Sequence, residues 1–579
     1  MKKLVLILSV VSVLLFSCKS KNDPDDTTSG STTSTETNTG DDDNDFVENQ
    51  TWNSTVSIVW NGSSATVSDL ADGVVLTSNS NGYVVLTSTA KHIEYAVSGE
   101  GSGQLKIYSD YKYKLSLNGL TLNCTDGPAI NNQSSKTCYV VLSSENSLTD
   151  GSSYSSSSTD EDQKAAFFSE GQVILSGSGI LSVTGNYKHA LCSDDYIRVR
   201  EGSLTLTANA SDGLHTNDGI IVDGGTISIS AAGDAIQCDT SSIVITGGTV
   251  NITKAGDKGI LAYSNVDISG GTVTVVSTDK GIKSAAGNVV ITGGTITVNT
   301  TGDDGKGILA KLGEVQISGS PVINVTTKGS TAKGIKAVGD MTISGGTITV
   351  SALGGSSSYA PEWGPGGNGG GPGGNGGGPG GDMGGSSGPE GIESKAAITI
   401  SGGTINIKAV DDAINAGGDL TITGGSVYAY STGNDAIDSN GNMYLKGGVV
   451  IGFGGSGAEA GIDVAERKSL IVSGGEIFGI GGRVDGTFSN CTQSYGYTSN
   501  SSNYSGGYIV LSNGSEAIYA VKMPSSSYSG IVLASSSSMS KNSTYTLSVA
   551  SSVNGTETNG FIAEPTVSSS SKVATFTAR

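Results

Sequence analysis

The stretch that decides the fold is SIVITGGTVNI, at residues 242–252. Closely similar phrases stand at residues 265–275 (NVDISGGTVTV) and 288–298 (NVVITGGTITV), and the pattern recurs about every 23 residues from Gly177 to Gly475. On either side of each glycine pair, apolar residues alternate with Ser, Thr or Asn, as in two short β-strands that meet at a bend. A unit this short cannot bury its apolar face alone, so the fixed period predicts a solenoid of stacked units.

A third apolar segment follows each pair of strands, as at residues 258–261. One repeat therefore supplies three short strands and three turns, which is one coil of an all-β parallel β-helix. We expect Ile243, Ile245, Val250 and Ile252 to face the core. Twelve glycine landmarks predict about twelve coils, and a strand spacing of ~4.8 Å then predicts a rod of roughly 58 Å. Glycine is expected at each bend because a side chain would meet the next coil or because φ is positive.

The N-terminus has the parts of a bacterial secretion signal. Two lysines precede an apolar run at residues 4–16, and Ser17-Cys18 follows. The cysteine at this junction resembles the lipobox of lipoproteins, in which the cysteine is acylated. We therefore expect a signal peptide at residues 1–18 and a lipid anchor on Cys18. The protein should lie outside the cytoplasm, anchored to the bacterial outer membrane and exposed at the cell surface, because acidic residues follow the cysteine closely.

The rest of the chain divides by composition. Residues 19–45 are rich in Asp, Ser, Thr and Asn and should form a disordered tether. Residues 46–485 carry the repeat and should form the β-helix, with a Gly/Pro-rich insertion at residues 354–389 that cannot form a core. After residue 485 the period stops, and strand patterns such as GYIVLSNG predict a small C-terminal β cap or module at residues 486–579.

Charge and cysteine content exclude several classes of function. The formal net charge of −21 makes nucleic acid an unsuitable partner and favours cations. No CxxC or histidine-paired spacing that would bind zinc is present. Beyond Cys18 the number of cysteines is odd, and the sequence leaves open whether Cys124 bridges Cys138 or all five are free thiols; these cysteines are Cys124, Cys138, Cys192, Cys238 and Cys491.

Aspartates recur in the turns at steps of 22 to 24 residues, as in Asp212, Asp234, Asp257 and Asp279. Stacked about 5 Å apart, such carboxylates repel each other unless a cation neutralises them. In the middle coils a lysine follows the aspartate, which favours an ion-pair ladder. Residues 209–239 contain five aspartates and no Lys or Arg, and five more aspartates lie between Val410 and Lys446 with no Lys or Arg between these two residues. Clustered carboxylates are calcium ligands, so we expect calcium in at least one window; the alternative is that these turns are only hydrated.

Several phrases also resemble a known family. Residues 146–239, PEGIESKAAITISGGTINIKAVDDAINA at 389–416 and GNDAIDSNGNMYLKGG at 433–448 look like the calcium-dependent carbohydrate-binding β-helix family, which includes lipoproteins with a pectate-lyase-like fold. The resemblance implies a right-handed helix, no established lyase activity, and binding of cellulose-like or acidic polysaccharides such as polygalacturonate. Leu214-His215 replaces the usual Ile-Lys, and STAKGIKA at 330–337 lacks the turn aspartate. The positions that match the family as calcium ligands are Asp212, Asp218, Asp234, Asp239, Asp411, Asp412, Asp435 and Asp438.

Aromatic residues suggest where a sugar could stack. Late coils place Tyr428, Tyr430, Phe453 and Phe478 at outward positions that other coils give to Thr, Ser or Asn. The alternative is that the C-terminal module docks over them. Trp363, in the insertion, is a further candidate for sugar stacking or for packing against the rod.

The residues favour binding over catalysis. A pectate lyase needs a strong base beside calcium, and the basic residues near the acidic windows are few: Arg198, Arg200, Lys408 and Lys446. A hydrolase would need more than the carboxylate pair at 411–412. We therefore predict a monomeric, non-enzymatic protein that binds polysaccharide with calcium as its cofactor. The alternatives are a pectate-lyase-like enzyme and an adhesin that binds a protein partner.

Overall fold

The computed structural model describes residues 43–155, 161–355, 388–455, 457 and 459–579. Within these residues the protein is a parallel β-solenoid of about 15 turns with almost no helix, which confirms the predicted fold class. The expected twelve coils are too few, because the coils between residues 93 and 175 lack the glycine pair that was counted. None of the described helices is long and apolar enough to cross a membrane. The signal peptide, Cys18, most of the predicted tether and most of the insertion lie outside the described residues.

Each coil contributes three strands to three parallel ladders. In one coil these strands are Ile243–Ile245, Thr249–Ala255 and Ile260–Ala262. The third ladder is a separate sheet, called here the short-strand sheet. The other two ladders join into the long sheet, because strands such as Met341–Ala352 run through the bend without a break.

The described part of the short-strand sheet consists of Val74–Ser80, Tyr83–Ser88, Gln104–Ser109, Ile130–Asn132, Ala165–Ser169, His189–Ser193, Leu214–Thr216, Ile236–Cys238, Ile260–Ala262, Lys280–Ser284, Lys306–Ala310, Lys333–Ala337, Ile392–Ser394, Ile414–Ala416, Ile437–Ser439 and Asp463–Val464. The described part of the long sheet consists of Ser54–Gly62, Ser64–Ser68, Ile93–Ser102, Tyr113–Asn123, Cys138–Ser143, Glu145–Thr149, Val173–Ser176, Ile180–Gly185, Tyr196–Val199, Ser203–Ala208, Gly219–Val222, Thr226–Ala231, Ile243–Ile245, Thr249–Ala255, Val266–Ile268, Thr272–Ser277, Val289–Ile291, Thr295–Thr300, Val315–Ile317, Val322–Thr327, Met341–Ala352, Ile398–Ala409, Leu420–Ile422, Ser426–Ser431, Met443–Phe453, Ser469–Gly481, Thr487–Phe488, Tyr495–Tyr497, Ser502–Ser505 and Ser527–Ser535.

The core is a stack of aligned aliphatic side chains. Ile243 pairs in register with Ile220 on one side and Val266 on the other, and all three side chains are fully buried. Ile245, Val250 and Ile252, which the alternation placed on the same face, are buried as expected. Burying such a side chain contributes about 1.5–3 kcal/mol, and the contact repeats in every coil.

The two glycines of each bend are needed for different reasons. A β-carbon on Gly247 would lie 2.2 Å from the carbonyl oxygen of Asp223 in the preceding coil. Gly248 has φ of +71°, a conformation that disfavours any residue with a side chain. Both of the expected reasons for glycine therefore operate at the same bend.

The N-terminal part of the described chain packs against the solenoid. Asp45 is only 5% exposed and its carboxylate lies 2.9 Å from the guanidinium of Arg198. Glu48 forms a second ion pair, at 3.1 Å, with Arg200. The packed region thus begins before residue 46, because the coil surface at residues 198–200 offers two cations to these carboxylates.

The C-terminal region closes the last coil. Strand Ser527–Ser535 pairs antiparallel with Ser469–Gly481, so the edge of the last coil is not left open there. An antiparallel five-stranded sheet, called here the C-terminal sheet, follows. Its strands in the described chain are Phe561–Ala563, Glu516–Lys522, Tyr508–Asn513, Thr544–Ala550 and Ser571–Thr577.

The cysteines of the described chain are free thiols. Cys124 and Cys138 do not form a bridge, and the same holds for the other three cysteines. Burial raises the pKa of Cys138 to about 12 and that of Cys124 to about 11. These thiols therefore act as small apolar core groups.

We expect Gly271→Ala to destabilise the protein more than Gly119→Ala does. Both glycines have positive φ, +77° and +71°, and forcing alanine into that conformation costs about 1–2 kcal/mol. Only Gly271 would also bring its β-carbon within 2.7 Å of a backbone oxygen, whereas nothing lies within 4 Å at Gly119. Overpacking should add at least about 1 kcal/mol at Gly271. Urea unfolding midpoints measure the difference, and equal midpoints would contradict the packing argument.

Candidate functional site

Charged side chains form two columns on the outward face of the short-strand sheet. The first column lies within the strands, where the in-register residues are Cys192, His215, Gln237, Leu261, Lys283, Leu309, Lys336, Glu393, Asn415, Asp438 and Asp463. The second column lies three residues earlier in each coil. Backbone hydrogen bonds or strand pairing join each of these positions to the next coil. The residues of the second column are His189, Asp212, Asp234, Lys258, Lys280, Lys306, Lys333, Glu390, Asp412 and Asp435. Along the rod the columns thus change from His and Asp to Lys and then to Glu and Asp.

We define three groups on this face. The histidine cluster is made of His189, Asp212 and His215. The lysine tract and the acidic cluster follow toward the C-terminus. The lysine tract consists of Lys258, Lys280, Lys283, Lys306, Lys333 and Lys336, and the acidic cluster consists of Asp412, Asp435, Asp438 and Asp463.

The acidic cluster brings carboxylates from successive coils together. One oxygen of each of Asp435, Asp438 and Asp463 lies within 4.8 Å of the others. Asp412 joins them from the preceding coil, where its Oδ1 accepts the backbone N–H of Asp435 at 3.2 Å. Two of the predicted calcium ligands, Asp435 and Asp438, therefore share one site.

Burial and the neighbouring carboxylates disfavour the ionised form of the aspartates in the acidic cluster. Burial, followed by the nearby carboxylate of Asp463, raises the pKa of Asp438 to about 8. Burial raises the pKa of Asp435 to about 7. Among the described residues, the basic side chain that reaches the cluster is Arg483, which lies 3.8 Å from Asp463 and 3.0 Å from Asp485.

Asp463 was missed by the sequence reasoning. Its signal was the phrase Gly-Ile-Asp at residues 461–463, which repeats Ala-Ile-Asp at residues 436–438 one coil later. Asp411, by contrast, was predicted as a ligand but bonds elsewhere. Its carboxylate accepts the backbone N–H of Gly388 at 2.8 Å and the side-chain amide of Asn434 at 2.6 Å.

The N-terminal window does not bring its four predicted calcium ligands together. Asp212 lies between two imidazoles instead of other carboxylates, 3.1 Å from each. Asp234 accepts the backbone N–H of Lys258 at 2.7 Å, and the ammonium of this lysine from the next coil lies 3.6 Å away. The two remaining predicted ligands are exposed, and Asp218 bonds to Thr240 while Asp239 bonds to Gln237. These four carboxylates are therefore not brought together.

The expected ladder of turn aspartates is also corrected. Asp257 stacks on Gly233, and Lys258 stacks on Asp234. The cause is one extra residue at a bulge in strand Thr249–Ala255, opposite the step from Ile229 to Ser230. The bulge moves Asp257 by one position, so the aspartate column is interrupted there and Asp257 stacks with Asp279 instead. Each of these two aspartates pairs with the lysine that follows it, at 2.5 Å, as the sequence predicts.

The aromatic strip is buried and not exposed. Phe453 is 0% exposed and Tyr428 is 9% exposed, since the C-terminal sheet packs over both. Tyr428 donates its hydroxyl hydrogen bond to the carbonyl of Lys522 at 3.0 Å. Tyr430 is half-buried and its ring lies 6.4 Å from that of Tyr528. Tyr428 and Phe453 are therefore too buried to stack on a sugar as expected, because covering an apolar strip with this sheet is favourable. Trp363 lies outside the described residues.

Truncation of Phe453 should loosen the C-terminal sheet. We expect Phe453→Ala to cost about 3–5 kcal/mol, as for other buried phenylalanines. Tyr263, which is 54% exposed, provides the control, and Tyr263→Ala should change stability little. Urea unfolding and limited proteolysis of residues 486–579 measure both effects. Equal stability of the two variants would mean that the sheet does not depend on this contact.

Comparison with known proteins gives one family. A family model described as carbohydrate-binding domain-containing protein matches residues 80–305, 240–355 and 281–436, which together span most of the solenoid. A solved structure described as a polysaccharide lyase-like protein from C. thermocellum, in a gadolinium derivative, is 22% identical to the chain. That match covers 46% of this chain and 96% of the other, with a TM-score of 0.33. No curated protein matches the chain.

Proposed function

Since the chain belongs to the carbohydrate-binding domain-containing family, we propose that it binds a polysaccharide through calcium held by the acidic cluster. The observation that carries this proposal is the convergence of Asp435, Asp438 and Asp463. Two carboxylates about 5 Å apart repel each other by about 3 kcal/mol at an effective dielectric constant of 20. A divalent cation removes this repulsion.

Calcium suits the acidic cluster better than other common ions. It takes six to eight oxygen ligands in flexible geometry, and the cluster offers carboxylate oxygens from three or four aspartates. A carboxylate of the polysaccharide can fill the calcium coordination positions that the protein leaves open. Calcium would thereby allow a protein with a net charge of −21 to bind an acidic polysaccharide such as polygalacturonate. A cellulose-like polymer is the second candidate ligand.

The lysine tract supports an acidic ligand. It lies on the same face as the acidic cluster and precedes it along the rod, with the coil of Glu390 and Glu393 between them. Lys333 and Lys336 are engaged by Glu390 and Glu393, at 2.9 and 2.8 Å. Lys283 is half-buried, and among the described residues no carboxylate lies within ion-pair distance of it. A polymer carboxylate would therefore find a free cation on the same face, five strands or roughly 24 Å from Asp438.

The arrangement favours binding without cleavage. The basic residues near the acidic windows lie in or beside strands of the long sheet, not on the face of the acidic cluster; they are Arg198, Arg200, Lys408 and Lys446. Arg198 is held by Asp45 at 2.9 Å and by Asp223 at 2.6 Å. Proton abstraction requires a base within hydrogen-bond reach of the substrate.

A second candidate function is polysaccharide lyase activity. One observation favours it: the guanidinium of Arg483 is half-exposed and approaches Asp463 of the proposed calcium site. A strong base beside calcium is what removal of a uronide C5 proton needs. For the lyase alternative, the candidate base is therefore Arg483, and not Arg198, Arg200, Lys408 or Lys446.

Calcium-dependent retention should depend on the acidic cluster. In gel retardation with polygalacturonate, the full chain should be retarded with calcium and released by a chelator. Asp435→Asn with Asp438→Asn should abolish the retardation and also the rise in melting temperature caused by calcium, which corresponds to about 2.7 kcal/mol at 100 times the Kd. Binding should weaken as pH falls below about 7, because protons compete for the carboxylates.

The control for this experiment is Asp69→Asn with Asp72→Asn. Both residues are exposed, far along the chain from the cluster, and the net charge changes by the same amount. An equal loss in both variants would mean that charge alone matters and not the site. Release of unsaturated oligosaccharides by the wild type, abolished by Arg483→Ala, would establish the lyase alternative instead.

We also propose that Cys18 anchors the protein outside the cytoplasm. This rests on the lipobox-like sequence LLFSC at residues 14–18. Cys18→Ser should prevent lipid labelling and shift the protein from the membrane fraction to the soluble fraction, or leave the signal uncleaved. Metabolic labelling with a fatty acid and membrane fractionation measure this. A wild-type protein that carries no lipid would overturn the proposal.

A further inference from the structure

The histidine cluster has the geometry of a second and different metal site. Nδ1 of His189 and Nδ1 of His215 each lie 3.1 Å from the same Asp212 oxygen, Oδ2. The two imidazole rings are stacked with centroids 4.2 Å apart and planes inclined by 24°. All three donor atoms lie within 4.8 Å of one another. Two nitrogens and one oxygen thus converge on one point from two successive coils.

His189 gives an independent indication that a ligand belongs there. Its side chain is buried, with the residue 1% exposed, and neither ring nitrogen has a hydrogen-bond partner among the described residues. The contact with Asp212 is short but not aligned as a hydrogen bond. A buried polar group without a partner costs about 1–3 kcal/mol. A metal ion between the three side chains would supply the missing partner.

Neighbouring groups hold the other two side chains in place. Oδ1 of Asp212 accepts the backbone N–H of Asp234 at 2.9 Å, which leaves Oδ2 to face the imidazoles, at 3.1 Å in its hydrogen bond with Nδ1 of His215. Nε2 of His215 lies 3.3 Å from Asp239, so this carboxylate can accept the remaining imidazole N–H. Metal-bound histidines in proteins are oriented by such carboxylates. Gly233 leaves room for the arrangement, since a β-carbon there would lie 2.5 Å from Asp212.

We propose that His189, Asp212 and His215 bind a divalent transition-metal ion of the zinc class. Imidazole nitrogen is a good ligand for zinc, copper, nickel and iron, whereas calcium takes oxygen ligands. A tetrahedral ion with bonds of about 2.0–2.1 Å separates its ligands by about 3.3 Å, close to the 3.1 Å observed between Oδ2 of Asp212 and each Nδ1. Three protein ligands leave a fourth position for water or another donor.

The site is separate from the acidic cluster. Between His215 and Asp438 the register of the short-strand sheet advances by eight strands, or roughly 38 Å at ~4.8 Å per strand. His189 lies in strand His189–Ser193, His215 lies in strand Leu214–Thr216, and Asp212 lies in the turn before the second strand. The ion would therefore join two successive coils. Zinc should therefore stabilise the protein whether or not polysaccharide binds.

Two variants remove one ligand each and should keep the fold. His215→Gln copies the next coil, where Gln237 occupies the same position, and His189→Ala copies the preceding coil, where Ala165 does. His92→Asn is the matched control. His92 lies outside the cluster, and asparagine tolerates its φ of +61°.

Zinc binding is measured by titration calorimetry on the full chain with calcium in excess to fill the acidic cluster. We expect one zinc ion per chain in the wild type, in His92→Asn and in Asp435→Asn with Asp438→Asn. His215→Gln and His189→Ala should lose more than the ~10–100-fold in affinity that removal of a ligand's orienting partner costs. The rise in melting temperature with zinc should disappear in the same two variants.

If a variant fails to fold, two spectroscopic measurements on the wild type still test the proposal: visible absorption after cobalt loading and X-ray absorption at the zinc edge. Cobalt-loaded wild type should show the intense visible absorption of a tetrahedral ion, and the zinc edge should show imidazole nitrogen as well as oxygen ligands. Absence of zinc binding by the wild type overturns the proposal. So does an oxygen-only coordination shell, or zinc affinity that both histidine variants retain.

Discussion

The stacking of one coil on the next, in strict register, is the constraint on which the other features depend. Ile220, Ile243 and Val266 occupy equivalent positions in successive coils, and each buries the one before it. Parallel pairing of this kind leaves no freedom to slip by one residue, because a slip would turn every core side chain outward. The glycine bends follow from the same constraint, since Gly247 lies against the backbone of the preceding coil and has no room for a side chain.

Register also decides the electrostatics of the short-strand sheet. A residue type repeated in the turns forms a column in which like charges lie about one strand spacing apart. The protein neutralises this column in different ways along its length. Lys258 of the next coil lies 3.6 Å from Asp234, and Lys333 of the preceding coil pairs with Glu390. At Asp212 two imidazoles contact the carboxylate. At the C-terminal end Arg483 alone reaches the described carboxylates of Asp463 and its neighbours, which is why a bound cation is proposed there.

The C-terminal sheet changes which surface is available to a ligand. By packing on Tyr428, Phe453 and Phe478 it converts an aromatic strip into part of the core. The outward face of the short-strand sheet is not used in this way and carries the lysine tract and the acidic cluster. The family match spans residues 80–436, which includes the lysine tract and the first part of the acidic cluster. Ligand recognition is therefore better sought in charge and coordination than in ring stacking.

The sequence by itself determined the solenoid, the three strands per coil, the core positions around Gly248 and two of the clustered aspartates, Asp435 and Asp438. These are properties of a local repeat, and local alternation is enough to assign them. Only the tertiary structure decided which turn residues stack. A single extra residue at the bulge after Ile252 places Lys258, not Asp257, beside Asp234. Likewise the pairing of His189 with Asp212, and of Asp45 with Arg198, joins residues of different coils or segments. Such contacts depend on bulges and on chain packing in three dimensions, and a count of residues between repeats does not contain that information.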